Sequence, residues 1–132
     1  MKLVIAYIKE ERFSEVKQAL FDAEVHRMSV SRVKGCGEQK GYVESFRGVK
    51  AEVNLLPKIK LEVGVNDSFV EKTIDAIVTG AKTGDVGDGK IFVMPVEDCI
   101  RIRTGERGIK AIGGSSEEIE KEQQVAMSKK AK

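Results

Sequence analysis

The chain has no tryptophan, one histidine, two cysteines and two prolines among its 132 residues, and aromatic side chains make up only 5% of it. Each shortage removes a class of function. Cys36 and Cys99 lie far apart without a CxxC pair, and His26 has no second histidine to join it. Zinc sites and thioredoxin-type chemistry are therefore unsupported, and a reducing cytoplasm is the simplest home. No Ser/His/Asp set and no carboxylate pair presents itself, so an enzyme has nothing specific to rest on. An excess of one charge is lacking too: 23 Lys plus Arg against 21 Asp plus Glu leave +2, which does not suit a general nucleic-acid binder. Long hydrophobic runs are missing as well. The N-terminal run Leu3 to Ile8 stops at Lys9, Glu10 and Glu11, too short for a signal peptide, and nothing elsewhere approaches a membrane span.

What is present is enough for one domain, with 41% hydrophobic residues. Leu3 to Ile8 is apolar and β-branched, as a buried strand should be. From Ser14, a plausible N-cap, apolar residues recur at Val16, Ala19, Leu20 and Ala23, the spacing of one helix face. Met28 to Val33 alternates with period two. Lys34 to Pro57 breaks the pattern with Gly35, Gly37, Gly41 and Gly48. Connections of this length in a small domain are usually functional or disordered, which makes the segment the first functional suspect.

After Pro57, Ile59, Leu61, Val63 and Val65 alternate with Lys58, Lys60, Glu62 and Gly64, the clearest strand in the chain. Ser68 and Glu71 have capping-box spacing, and Val70, Ile74, Ile77, Val78 and Ala81 predict a helix. A glycine-rich loop leads into a short strand, Ile91 to Met94, and Ile100 to Arg103 reads as a further extended piece. The order βαββαβ predicts an α+β, ferredoxin-like fold with two helices on one face of an antiparallel sheet. A second copy of the chain is the obvious cover for the other face. The tail from Gly113 to Lys132 is charged and without a sustained apolar stripe, so a frayed helix or disorder is expected.

Gly84-Asp85-Val86-Gly87-Asp88-Gly89-Lys90 has GxxxxGK spacing, in which loop amides cradle phosphates and a lysine neutralises them. Ile91 stands where a P-loop has Ser or Thr, and the helix precedes the loop instead of following it. Two readings fit the loop alone: an anion cradle, or a connection whose glycines supply positive φ. Arg101 and Arg103, on one side of a strand, would make a three-cation cluster with Lys90 suited to a polyphosphate; the alternative is a solvated edge with Glu106 nearby. Gly35-Cys36-Gly37-Glu38-Gln39-Lys40-Gly41 would also let amides approach an anion. Cys36 and His26 read as packing or surface residues.

Four segments together resemble the PII signal-transduction family, the GlnB/GlnK-type nitrogen regulators. They are Thr83 to Val93, Val33 to Gly41, Leu55-Leu56-Pro57-Lys58, and Ile100 to Gly105, each in family spacing without a gap. The resemblance runs from Met1 to about Ile112. It implies a PII domain over residues 1–112, with a T-loop at about 36–55, a B-loop at about 82–90 and a C-loop at about 101–112, followed by the extension 113–132.

The resemblance further implies a homotrimer with nucleotide sites between subunits, competition of ATP with ADP, and 2-oxoglutarate bound beside ATP through Mg2+. Lys90, Arg101 and Arg103 would hold phosphates with the amides of Gly87, Asp88 and Gly89. Ser29, Glu62 and Gly64 take the adenine side, and Gly37 and Glu38 complete the nucleotide set. Gln39 would ligate the metal, Lys58 would pair with the distal carboxylate of 2-oxoglutarate, and Gly37, Lys40 and Gly41 would enclose it. Arg47-Gly48 matches the loop tip that plugs an ammonium channel, the one route by which a membrane enters.

Several positions depart from the family pattern. Ala51 stands where modified relatives carry Tyr, and Val49 and Phe46 also lack an acceptor hydroxyl, so covalent control there is excluded. Lys50 argues against N-acetylglutamate kinase as target. Glu38 replaces a basic residue near the γ-phosphate, Ser29 the usual Thr, and Gly64 an apolar residue. The expected activity is ligand sensing and target binding without catalysis. A slow nucleotide hydrolase using Lys90, Arg101 and Arg103, or a sensor of adenylates alone, are the alternatives.

Overall fold

Alternating apolar residues build the sheet, and the two helices close one side of it. The structure, a computed structural model, describes residues 1–35, 45–46, 49–50 and 55–113. In β1 (Lys2–Lys9) every second side chain is buried: Val4, Ala6 and Ile8. In β5 (Leu56–Val65) Ile59, Leu61, Val63 and Val65 are buried, as the period-two pattern requires. With β2 (Ser29–Gly35) and β6 (Lys90–Pro95) they form a four-stranded sheet in the order β2-β5-β1-β6, every neighbouring pair antiparallel. This is the expected α+β, ferredoxin-like arrangement. Two further strands, β3 (Ser45–Phe46) and β4 (Val49–Lys50), pair antiparallel inside the segment expected to be loop.

Helix α1 (Phe13–Asp22) lays Val16 and Leu20 on the sheet, and α2 (Val70–Ala81) packs beside it. Side chains such as Leu20 and Leu61, fully buried here, contribute about 1.5–3 kcal/mol each. The expected helix starts are corrected. A 3-10 turn precedes each helix, Glu10–Arg12 and Asp67–Phe69, so Arg12 and Phe69 occupy the N-cap positions, Ser14 lies inside α1 and Ser68 inside the turn.

The buried face of α2 is also turned from the expected stripe. Ile77 and Ala81 are buried, but Thr73, Ala76 and Gly80 complete the face, while Val78 is exposed and Val70 and Ile74 are half-buried. The reason is the crossing with α1, where a Cβ at Gly80 would lie 2.6 Å from the Val16 Cα. Only a residue without a side chain permits that approach, and the Arg12 Nε donates to the Gly80 carbonyl oxygen at 2.9 Å on the same seam. Burial of Thr73 is compensated because its Oγ1 donates to the Phe69 carbonyl oxygen at 2.7 Å.

The second sheet face carries Leu3, Ile5 and Tyr7 of β1 with Phe92 and Met94 of β6 directly opposite Ile5 and Leu3. Phe92 and Met94 are about half exposed in the single chain, at 51% and 50%. Tyr7 and Phe92 meet edge to face with centroids 6.2 Å apart. Beyond β6 the chain differs from the expected extended piece. Only Ile100 pairs, as a bridge with Arg107, and a turn covers residues 102–104 before α3 (Ile109–Ile112). A four-residue alternation was too short to distinguish a strand from a turn closed by Gly105 N–H on the Arg101 carbonyl oxygen at 2.8 Å.

Candidate nucleotide-binding site

The glycine-rich loop from Thr83 to Lys90 joins α2 to β6 and is tied by its own aspartate. The Asp88 carboxylate accepts from the Thr83 and Gly84 amides, both at 2.9 Å, and from the Thr83 hydroxyl. Lys9 at the end of β1 adds an ion pair at 3.3 Å. The bond from the Thr83 hydroxyl, then those from the amides and Lys9, hold the Asp88 carboxyl well below the usual carboxylate range. Gly84, Gly87 and Gly89 all have positive φ. At Gly89 the requirement is absolute, because a Cβ would fall 1.7 Å from the Tyr7 carbonyl oxygen. Both readings of the loop therefore share one backbone: the connection needs its glycines, and the same conformation presents it at the sheet end.

Lys58 reaches this loop from β5, its Nζ donating to the Gly87 carbonyl oxygen at 3.1 Å. Lys58 and Lys9 are register partners, so two lysines on adjacent strands hold the loop from the same edge. Lys90 follows, exposed, opposite Tyr7. A cavity of about 270 Å³ lies between α2 and β6, bounded by Val78, Lys82, Asp88, Gly89, Lys90 and Ile91.

The three adenine-side positions also come together. Ser29 is opposite Glu62 in the β2–β5 register, and Gly64 follows two residues on along the same face. Glu62 pairs with Lys60 at 3.2 Å; this hydrogen bond, with the accompanying charge attraction, raises the Lys60 pKa. Beside Gly64 a cavity of about 130 Å³ is lined by His26, Arg27, Phe69, Ile112 and Gly113. Asn66 Nδ2 donates to the Gly113 carbonyl oxygen at 2.9 Å and fixes α3 there.

The expected three-cation cluster does not form within one chain. Arg101 Nη2 donates to the Lys110 carbonyl oxygen at 3.0 Å, which ties it to α3 at the Gly64 end of the sheet, whereas Lys90 stands at the Tyr7 end. Tyr7 and Leu3, the register partner of Gly64, are separated by about 13 Å of strand. Arg101 also faces Glu106 at 3.8 Å. Arg103 lies exposed in the 102–104 turn, so the argument that strand geometry aligns the two arginines fails. Gly37, Glu38, Gln39, Lys40, Gly41, Arg47, Gly48 and Ala51 lie outside the described residues, as do Cys36 and the extension beyond Gly113.

Sequence reasoning missed three parts of this site. The sequence points to Asp88 only through its amide, and the one signal for the clasp by its side chain is the Thr83 to Asp88 spacing across glycines. Lys9 carried no signal, being one lysine at a strand end. Glu106 was seen only as a nearby charge.

A clasped glycine loop at the end of an antiparallel sheet, held by lysines from two adjacent strands, marks this α+β module. The family model for the nitrogen regulatory protein P-II matches residues 1–106, and the chain belongs to that family. It is 56% identical to the nitrogen regulatory protein GlnK1 of Methanosarcina mazei over 114 residues, 85% of this chain and 97% of that protein. It is 49% identical to the nitrogen regulatory protein P-II 2 of Methanothermobacter thermautotrophicus, with 85% of this chain and 97% of that protein covered. The nitrogen regulatory protein P-II of Azospirillum brasilense is 50% identical over its full length and 85% of this chain. These relatives are named as regulators, not enzymes, and among the described residues no helix is long and apolar enough to cross a membrane.

Proposed function

We propose that this chain is a nitrogen and energy signal transducer that binds ATP or ADP through the 83–90 loop and reports on 2-oxoglutarate. The observation that carries the reading is the contact of Lys58 Nζ with the Gly87 carbonyl oxygen. It joins the residue assigned to the 2-oxo acid to the loop assigned to phosphate. The Thr83 and Gly84 amides are taken by Asp88, whereas Lys90 is exposed at the loop's end.

The separation of Lys90 from Arg101 supports a homotrimer. Phosphate contacts from both groups require arginines contributed by a neighbouring copy, and the half-exposed Phe92 and Met94 give a face for such a copy to cover. Light scattering should give a trimer mass at micromolar concentration; a monomer mass sinks this arrangement. Calorimetry should show Lys90→Ala and Arg103→Ala each weakening nucleotide by about 1.5–3 kcal/mol, the scale of a charge-assisted hydrogen bond. Wild-type affinity in both variants refutes the pocket.

Among the described residues no three His, Cys, Asp or Glu side chains gather to hold a metal ion. In this reading Gln39 would help hold Mg2+, together with nucleotide phosphates and the 2-oxo acid. Binding of 2-oxoglutarate should therefore require ATP with Mg2+, and ADP should not replace it. Gln39→Ala and Lys58→Ala should abolish it; if neither matters, the protein senses adenylates alone. The target is engaged through residues 36–55, with Arg47-Gly48 suited to a cytoplasmic channel mouth such as that of an ammonium transporter. Ala51 offers no hydroxyl for modification at the position where modified relatives carry Tyr. A pull-down from cytoplasm and membranes with ADP, and again with MgATP and 2-oxoglutarate, tests the target class.

A further inference from the structure

Arg101 is neither solvated alone nor locked in a pair. Its Nη2 donates to the Lys110 carbonyl oxygen at 3.0 Å, a directional bond that fixes the guanidinium plane. Its Nη1 faces the Glu106 carboxylate at 3.8 Å, too long for a hydrogen bond but within ion-pair range. The neighbouring charges are already engaged elsewhere: Arg107 gives its Nε to Asp98 at 2.8 Å, and its guanidinium pairs there again at 2.6 Å. Glu106 is thus the carboxylate that the structure sets against Arg101, and it offsets that cation without orienting it.

We propose that Glu106 is a specificity-determining residue of the phosphate site, competing with nucleotide phosphate for Arg101 and lowering affinity most for the most highly charged nucleotide. The inference rests on the nucleotide-binding reading above. A phosphate oxygen approaching Arg101 meets a guanidinium whose charge is part-neutralised, and it also feels the repulsion of the carboxylate. Each additional negative charge on the ligand increases that repulsion, so ATP is disfavoured relative to ADP. Both side chains are partly exposed, at 30% and 39%, so added salt screens the effect.

The loop does not depend on the Glu106 carboxylate for its shape. Its turn is closed by main-chain bonds from Arg101 N–H to the Glu106 carbonyl oxygen at 2.9 Å and from Gly108 N–H to the Cys99 carbonyl oxygen at 3.0 Å. The Glu106 amide donates to the Thr104 hydroxyl at 3.2 Å. Glu106→Gln keeps all three.

The test is calorimetry of ATP and ADP on the full chain in magnesium-free buffer, at low and high NaCl, for wild type, Glu106→Gln and Glu106→Asp. Glu106→Gln should bind ATP about threefold to tenfold more tightly at low salt, with a smaller gain for ADP and convergence on wild type at high salt. Glu106→Asp, which keeps the charge, should stay close to wild type. Unchanged or weaker ATP binding by Glu106→Gln overturns the proposal, and so does a gain that salt leaves intact, since a reshaped loop would produce it. These outcomes leave the nucleotide reading standing. Absence of nucleotide binding by the wild type overturns that reading and this inference with it.

Discussion

Two loops of similar size, residues 83–90 and 98–108, are each held by one aspartate, yet they are built for opposite ends. Asp88 turns back on its own loop and takes hydrogen bonds from Thr83 and Gly84, while Lys9 and Lys58 fix that loop to the sheet and Gly89 passes close to the Tyr7 carbonyl. Asp98 instead caps the next residue, accepting from Cys99 N–H at 2.8 Å, and pairs with Arg107 across the base of a turn whose tip projects into solvent. Ile102 at that tip is 100% exposed. The first loop is referenced to the fold, and the second offers side chains outward.

The largest break in this contrast comes from Gly89→Ala. With positive φ and a Cβ colliding with the Tyr7 carbonyl, the loop must leave the sheet, and urea unfolding should show a loss of about 2 kcal/mol or more. A wild-type midpoint would mean that the loop is not referenced to β1. Next is Asp88→Asn, which should speed amide exchange at Thr83 and Gly84 and weaken nucleotide, because the neutral amide accepts less strongly than the carboxylate. The same residue sets an acid dependence. Its folded-state pKa is depressed, so its contribution is full above the unfolded value of about 3.9 and is lost as pH falls from there toward the folded value. The acid limb of a stability–pH curve should therefore flatten in Asp88→Asn.

The smallest effect is expected from Arg107→Gln. Its pair with Asp98 lies on the surface, so unfolding midpoints should barely move, although the lowered Asp98 pKa should return toward normal. A large stability loss there would erase the distinction between the two loops.

The fold was legible where periodicity runs long. Ile59 to Val65 alternates over enough residues to fix strand and face together, and the order of elements followed from it. The face of α2 was not, since glycine at position 80 carries no hydrophobic signal and yet decides where α1 can approach. The 83–90 loop was legible as a glycine-rich anion candidate because backbone chemistry is written in glycine spacing. The partners of Arg101 were not, because Lys110 contributes a main-chain oxygen that any residue there would supply. The separation of Lys90 from Arg101 is a matter of topology that a list of cations does not contain.

Gly64 has a consequence for which substitutions the chain tolerates. A Cβ there would lie 3.4 Å from both Cδ1 and Cγ1 of Ile112, so the space left empty on β5 is occupied by a side chain from α3. Positions 64 and 112 thus share one fixed volume. A Cβ alone meets Ile112 at the near limit of ordinary contact, whereas the larger valine would press on it, so changes at the two sites should be tolerated in pairs more readily than singly.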